Sequence, residues 1–190
     1  MANVAIVVGH HPDAPGAPLT VGEHTTHEYP LWSPFAHELR QTLKAEGVNA
    51  TVIERPVPTA FTALAEEINA SGADCALSLH FNAADDPEAE GTEMIHYKGS
   101  TAGRRLAMLL QGETVQALGT EDRRVIGRTD LEVLRLTEMP AVVCEPAFGS
   151  HEADAWRLLT RQSDLLLAYR KAVIDFLDGE GARKQGGDTA

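Results

Sequence analysis

Short, almost wholly apolar runs alternate with segments of helical periodicity. The runs at residues 3–9 (NVAIVVG), 74–80 (DCALSLH) and 140–145 (PAVVCE) show no polar alternation. A strand with one wet face alternates, so these read as strands buried on both faces. Residues 49–54 (NATVIE) and 92–97 (TEMIHY) add two more strands, the second expected at an edge.

Helices are expected between them. Ser33 followed by Pro34 reads as an N-cap and first helical residue, with Phe35, Leu39 and Leu43 on one face and Gly47 as the stop. Thr59 is read as the cap of a helix that buries Phe61, Leu64, Ala65 and Ile68 before Gly72. Residues 101–118 repeat leucine at helical spacing, whereas 119–135 reads as irregular, with a short strand near 131–134. A long final helix is expected from a Ser150 cap through Trp156, Leu166, Tyr169 and Phe176, with Glu152 and Asp154 favoured in its first turn by the helix dipole.

Strand–helix–strand order implies right-handed crossovers. The expected fold is a single α/β domain: a mostly parallel mixed sheet of about five to six strands with helices on both faces. The domain is placed at residues 1–178, and the polar, Gly-rich residues 179–190 read as a flexible tail.

The net charge of −12 argues against nucleic acid and anionic membranes as partners. No apolar run reaches the roughly 20 residues of a membrane span. The first residues lack a basic stretch and a cleavage site, so the chain is expected to be made in the cytoplasm without a signal peptide. Cys75 and Cys144 fall in strand-like runs and read as small core residues, since two cysteines make no disulfide framework and there is no CxxC pair.

Polar residues that interrupt the apolar pattern collect at strand ends, where open α/β sheets place their ligands. His10 follows the first run, His80 closes the third and Glu145 closes the last. Two imidazoles and a carboxylate around an open position form a common catalytic zinc set. A further carboxylate is expected between His10 and the first helix. Glu23 and Glu28 are candidates there, with His24 and His27 as rivals, and spacing does not choose among them. His37 is read as lying on a solvated helix face and His96 on an exposed strand, while His11 and His151 are read as lining the cleft without binding metal.

Four stretches resemble the zinc-dependent N-acetylmuramoyl-L-alanine amidases of cell-division enzymes and phage endolysins. They are VVGHHPDAPGA, HEYPLWSPFAHEL, SLHFNA followed by GTEMIHY, and LEVLRLTEMPAVVCEPAFGSHEAD. The resemblance runs in order from about Val4 to Asp154, and its last two stretches are the specific ones. It implies Zn2+ held by His10, Glu28 and His80, with Glu28 chosen over Glu23 by its spacing from Leu39. It implies Glu145 as the catalytic residue and Asn82 as a support of the site, and it matches Glu93 to a family glutamate without assigning a role.

The implied activity is zinc-dependent hydrolysis of the amide between N-acetylmuramic acid and L-alanine in peptidoglycan. This would be a bacteriolytic, endolysin-like degradation of the cell wall by a monomer acting in the periplasm or outside the cell. Two departures bear on the cleft. The family's Gly-His-Gly-Gly is Gly9-His10-His11-Pro12 here, and Ala147 and His151 alter the motif after Glu145. Some family members carry an inserted helix that blocks the zinc; residues 97–128 hold one ordinary helix and no spare segment, so an open site is expected.

Two other readings fit the same residues. One is a zinc deacylase or carboxypeptidase acting on small N-acyl amino acids or peptides, with Arg123, Arg124 or Arg128 placed to bind a terminal carboxylate. The other is an inactive peptidoglycan-binding module, against which the complete set of site residues speaks.

Overall fold

A computed structural model describes residues 2–55 and 61–186. The expected Thr59 cap lies outside the described residues. The chain forms one α/β domain whose main sheet has the strand order β4-β1-β5-β8-β6-β7. Its strands are β1 (Asn3–Val8), β4 (Asn49–Ile53), β5 (Cys75–Leu79), β6 (Thr92–Tyr97), β7 (Asp122–Arg128) and β8 (Ala141–Glu145). The pairs β4–β1, β1–β5 and β5–β8 are parallel, β8–β6 is antiparallel, and β6–β7 is parallel again. A small antiparallel hairpin of β2 (Pro18–Val21) and β3 (His24–His27) stands apart.

Alternate residues of the central strands fill two cores. Val4, Ile6 and Val8 of β1 and Cys75, Leu77 and Leu79 of β5 face one side. There they meet α1 (Glu28–Ala45), α3 (Thr101–Leu118), α5 (Glu152–Thr160) and α6 (Gln162–Gly186). Ala5 and Val7 face the other, smaller core, under α2 (Phe61–Ala70) and the short α4 (Glu132–Arg135). Burial on both faces is why these strands read as unbroken apolar runs. Trp32 and Phe35 of α1 and Tyr169 of α6 stack edge-to-face, with ring centroids 5.2 and 5.7 Å apart, and join the two helices.

Several elements differ from the sequence expectation. Helix α1 begins at Glu28, so Pro34 lies inside it. Pro34 has no proton to give the Pro30 carbonyl, a local loss that the burial of Trp32, Phe35 and Leu39 outweighs. Phe61 is exposed rather than buried, lying under the Arg55 guanidinium at 4.9 Å. The irregular segment contains a real strand, β7, and in place of the strand expected near 131–134 the chain turns as the helix α4 (Glu132–Arg135). Because β7 takes the edge, β6 is interior and His96 is buried. The charged DRRVIGR of β7 suits an edge, where polar side chains deter further pairing.

The long final helix is two helices, parted at Arg161, whose Nη1 lies 3.1 Å from the Leu118 carbonyl and satisfies the end of α3. Ser150 does not cap α5; its hydroxyl accepts from Ala84 N at 3.1 Å. Helix α6 also continues past residue 178 to Gly186, where composition suggested a tail. Arg105 of α3 reaches the Phe176 carbonyl and Glu180 (2.8 and 2.7 Å) and lies over the Phe176 ring.

Phe176 is wholly buried in this packing. Phe176→Ala is therefore expected to lower stability by about 3–5 kcal/mol, read from urea unfolding. A loss below about 1 kcal/mol would mean that α6 does not seal this core.

Candidate active site

The parallel order of β1, β5 and β8 brings their carboxyl ends to one edge of the sheet. His10 stands just beyond β1, His80 follows the last residue of β5, and Glu145 is the last residue of β8. The fourth group comes from a different direction. The β2–β3 hairpin carries the chain across this edge, and Glu28 opens α1 immediately after it. The dipole at the start of α1 favours a carboxylate there.

Glu28 lies between the two imidazoles. Its Oε1 is 3.2 Å from His10 Nε2 and its Oε2 is 3.1 Å from His80 Nδ1. Two backbone N–H groups fix it, Ala17 N donating to Oε1 at 3.0 Å and Phe81 N to Oε2 at 3.2 Å. Burial alone would raise the Glu28 pKa, but the hydrogen bonds and charge of His10 and His80 outweigh it and hold the group at about 2. The His10 and His80 rings meet edge-on, 5.1 Å between centroids.

Two glycines keep the backbone out of this space. A Cβ on Gly9 would lie 2.0–2.7 Å from His80 ring atoms. One on Gly16, whose φ is +85°, would come within 2.8 Å of both His10 and Glu28.

Of the four residues between His10 and the first helix left open by spacing, the structure joins Glu28 to the two histidines. Glu23 and His24 are exposed on the hairpin, and His27 precedes α1. The potential ligand atoms of His10, Glu28 and His80 all lie within 4.8 Å of one another. Ligands about 2.0–2.2 Å from a shared zinc ion sit roughly 4 Å or less apart, so the triad fits one after a small contraction.

Glu145 belongs to the same edge. Its Oε2 is buried and has no hydrogen-bond partner among the described residues. Burial, then the charges of Glu28 and Glu93, push its pKa well above the ordinary carboxylate value. A buried carboxylate oxygen left without a protein partner is costly and calls for an explanation.

Around this centre the side chains are tied together. Glu93 of β6 accepts from Asn82 Nδ2 at 3.1 Å and from Arg123 Nε at 2.5 Å, and Arg123 lies over the Phe148 ring. Arg128 is paired with Asp130. Two of the three arginines considered for a terminal carboxylate are therefore engaged by acidic side chains of the chain itself. His11 is buried, and His37 is half exposed beside Glu54 at 3.5 Å.

Sequence reading did not find the second role of Asp154. Besides lying in the first turn of α5, its fully buried carboxylate accepts from Gly91 N and Phe148 N at 2.7 and 3.2 Å and pairs with Arg157 at 3.1 Å. It forms a second cluster with Glu90 and His151, but the Arg157 cation already balances its charge. The bond to Gly91 spans 63 residues of the chain and leaves no local signal.

A family model described as N-acetylmuramoyl-L-alanine amidase matches residues 4–175. The chain is 36% identical over 100 residues to the N-acetylmuramoyl-L-alanine amidase CwlM of Mycobacterium tuberculosis, covering 50% of this chain and 24% of that protein. It is 33% identical over 130 residues to the N-acetylmuramoyl-L-alanine amidase LytC of Bacillus subtilis, covering 65% and 25%. The chain thus spans about a quarter of the length of these two relatives. Its fold matches a solved N-acetylmuramoyl-L-alanine amidase from Clostridium difficile 630 with a TM-score of 0.81 at 24% identity, covering 93% of this chain and 97% of that one. By sequence and fold together, the chain belongs to the N-acetylmuramoyl-L-alanine amidase family.

Proposed function

We propose that this chain hydrolyses the amide between the lactyl group of N-acetylmuramic acid and L-alanine in peptidoglycan, using Zn2+ held by His10, Glu28 and His80 and Glu145 as the proton-transfer group. The observation that carries this reading is the convergence of two imidazoles and an ionised carboxylate beside a buried carboxylate oxygen with no protein partner. The donor set is of the kind that binds catalytic zinc. Once bound, the ion supplies Lewis acidity, polarising the scissile carbonyl and acidifying the attacking water.

The chain's own residues do the rest. Ala17 N and Phe81 N hold Glu28 in place, so the carboxylate does not swing away when substrate enters. Glu145 takes the proton of the attacking water and returns it to the leaving alanine nitrogen. Its raised proton affinity suits a group that must keep that proton between the two steps. Gly9 and Gly16 leave the room that both substrate and ligands need.

The carboxypeptidase reading is the weaker one, because Arg123 and Arg128 are already paired with Glu93 and Asp130. Residues from Tyr97 to Arg128 form the end of β6, α3 and β7. This ordinary connection supports a site that works without an activating partner. We place the action on the cell wall. Among the described residues no helix is long and apolar enough to cross a membrane.

Purified chain is expected to bind about one zinc, and His80→Ala to lose most of it, by elemental analysis after gel filtration. Retention of full zinc content by His80→Ala would remove this histidine from the ligand set. Glu145→Ala is expected to keep its zinc while peptide release from peptidoglycan falls by about 10²–10⁴ in kcat. Mass spectrometry of the wild-type digest should show free stem peptides that begin with L-alanine. Trimming from the carboxyl end, with the stem still attached to sugar, would instead support the carboxypeptidase reading.

A further inference from the structure

The chain has two tryptophans, and their surroundings are opposite. Trp32 is wholly buried, whereas Trp156 is 51% exposed on α5. Sequence periodicity places Trp156 on the apolar face of one long helix. In the structure Asp154, Ala155 and Leu158 turn inward instead, and the indole lies on the outer face. A large apolar side chain left half in water forgoes the burial that most tryptophans gain.

The indole does not stand on open surface. It lines a groove of about 650 Å³ together with Val21 of the hairpin and His151, Glu152, Arg157 and Arg161. Glu152 also borders a second groove, of about 930 Å³, whose walls include Pro18 and Thr20 of β2, Asp85 beyond β5 and Ser150 beyond β8. The two grooves therefore meet along the hairpin, and the second runs beside the chain segments that follow His80 and Glu145. Val21 lies three residues, roughly 10 Å, along β2 from the Pro18–His27 rung that leads into Glu28.

The chemistry of the groove suits a sugar. A pyranose presents a flat face of C–H groups and a rim of hydroxyl and acetamido groups. The face needs a flat apolar surface, and the rim needs donors and acceptors around it. Trp156 supplies the first, while Glu152 and the N–H groups of Arg157 and Arg161 supply the second. An anionic ligand is less well served. Arg157 is paired with Asp154 at 3.1 Å, and Arg161 is held by the Leu118 carbonyl at 3.1 Å, so both cations already have partners. This favours the hydroxyls and acetamides of a glycan over the carboxylates of a stem peptide.

We propose that Trp156 is a sugar-stacking platform, whose groove holds a neighbouring pyranose of the glycan strand while the scissile amide lies at the proposed zinc site. This rests on the reading of the chain as an amidase acting on peptidoglycan, and it adds the glycan beyond the muramic acid being cut to what the chain recognises. The indole binds substrate and takes no part in proton transfer. It contacts a sugar that does not react, so it binds ground state and transition state alike and acts on KM.

Trp156→Ala is expected to raise KM for peptide release from intact glycan strands about tenfold, with kcat little changed. The urea midpoint should stay near that of wild type, because the side chain is half exposed. On a muramoyl peptide with no neighbouring sugar, the difference in KM should largely disappear. Trp156→Phe, which keeps a flat ring, should recover part of the loss. Binding can be read without turnover: peptide-free glycan strands contain no scissile amide, and they should change the tryptophan fluorescence of wild type but not of Trp156→Phe.

A wild-type KM in Trp156→Ala would overturn the proposal, as would an equal loss on both substrates. So would a fluorescence change produced by free stem peptide and not by glycan. Failure of the amidase reading is separate: wild type would then release no stem peptide from any substrate, while the glycan-dependent fluorescence change would remain.

Discussion

Everything at this sheet edge depends on one carboxylate, that of Glu28, set between two imidazoles. It approaches both rings within 3.2 Å and is held by two backbone N–H groups from separate loops. The hairpin before it, the helix after it and the glycines around it are all arranged so that this contact can exist. Its low pKa expresses the same fact, because the neighbouring donors keep the charge on a group that burial alone would neutralise.

Glu28 and Glu145 then show opposite tendencies, as neighbouring carboxyl groups in different surroundings do. Glu28 has donors on both oxygens and stays ionised. Glu145 has a buried oxygen with no donor among the described residues and lies near two other carboxylates, so its proton affinity rises. One group is suited to holding a cation and the other to handling a proton. Glu93 has a further pattern: it is paired with Arg123, and it lies across from Glu145.

Much of this was legible in the sequence because the fold writes its signals locally. Buried parallel strands gave unbroken apolar runs, and the polar residue ending each run marked the edge where these side chains come together. His10, His80 and Glu145 could be read this way without reference to any family. Glu28 could not, because the hairpin that delivers it leaves only a weak pattern in the short β2 and β3. Its position was implied by family resemblance, and the geometry brings it to the two histidines. Strand β7 was missed because an edge strand of this kind is charged and partly exposed, much like a loop. The break at Arg161 was missed because both flanking helices share an apolar face, and what separates them is a contact with the end of α3, 43 residues away along the chain.

Zinc K-edge X-ray absorption on the purified, zinc-loaded chain tests the central claim most directly. Two imidazole nitrogens and oxygen donors at about 2.0–2.2 Å, without sulfur, are expected. In Glu28→Gln the two-imidazole signature should persist at reduced zinc affinity. A wild-type spectrum with one imidazole or none, or one dominated by sulfur at about 2.3 Å, would contradict it.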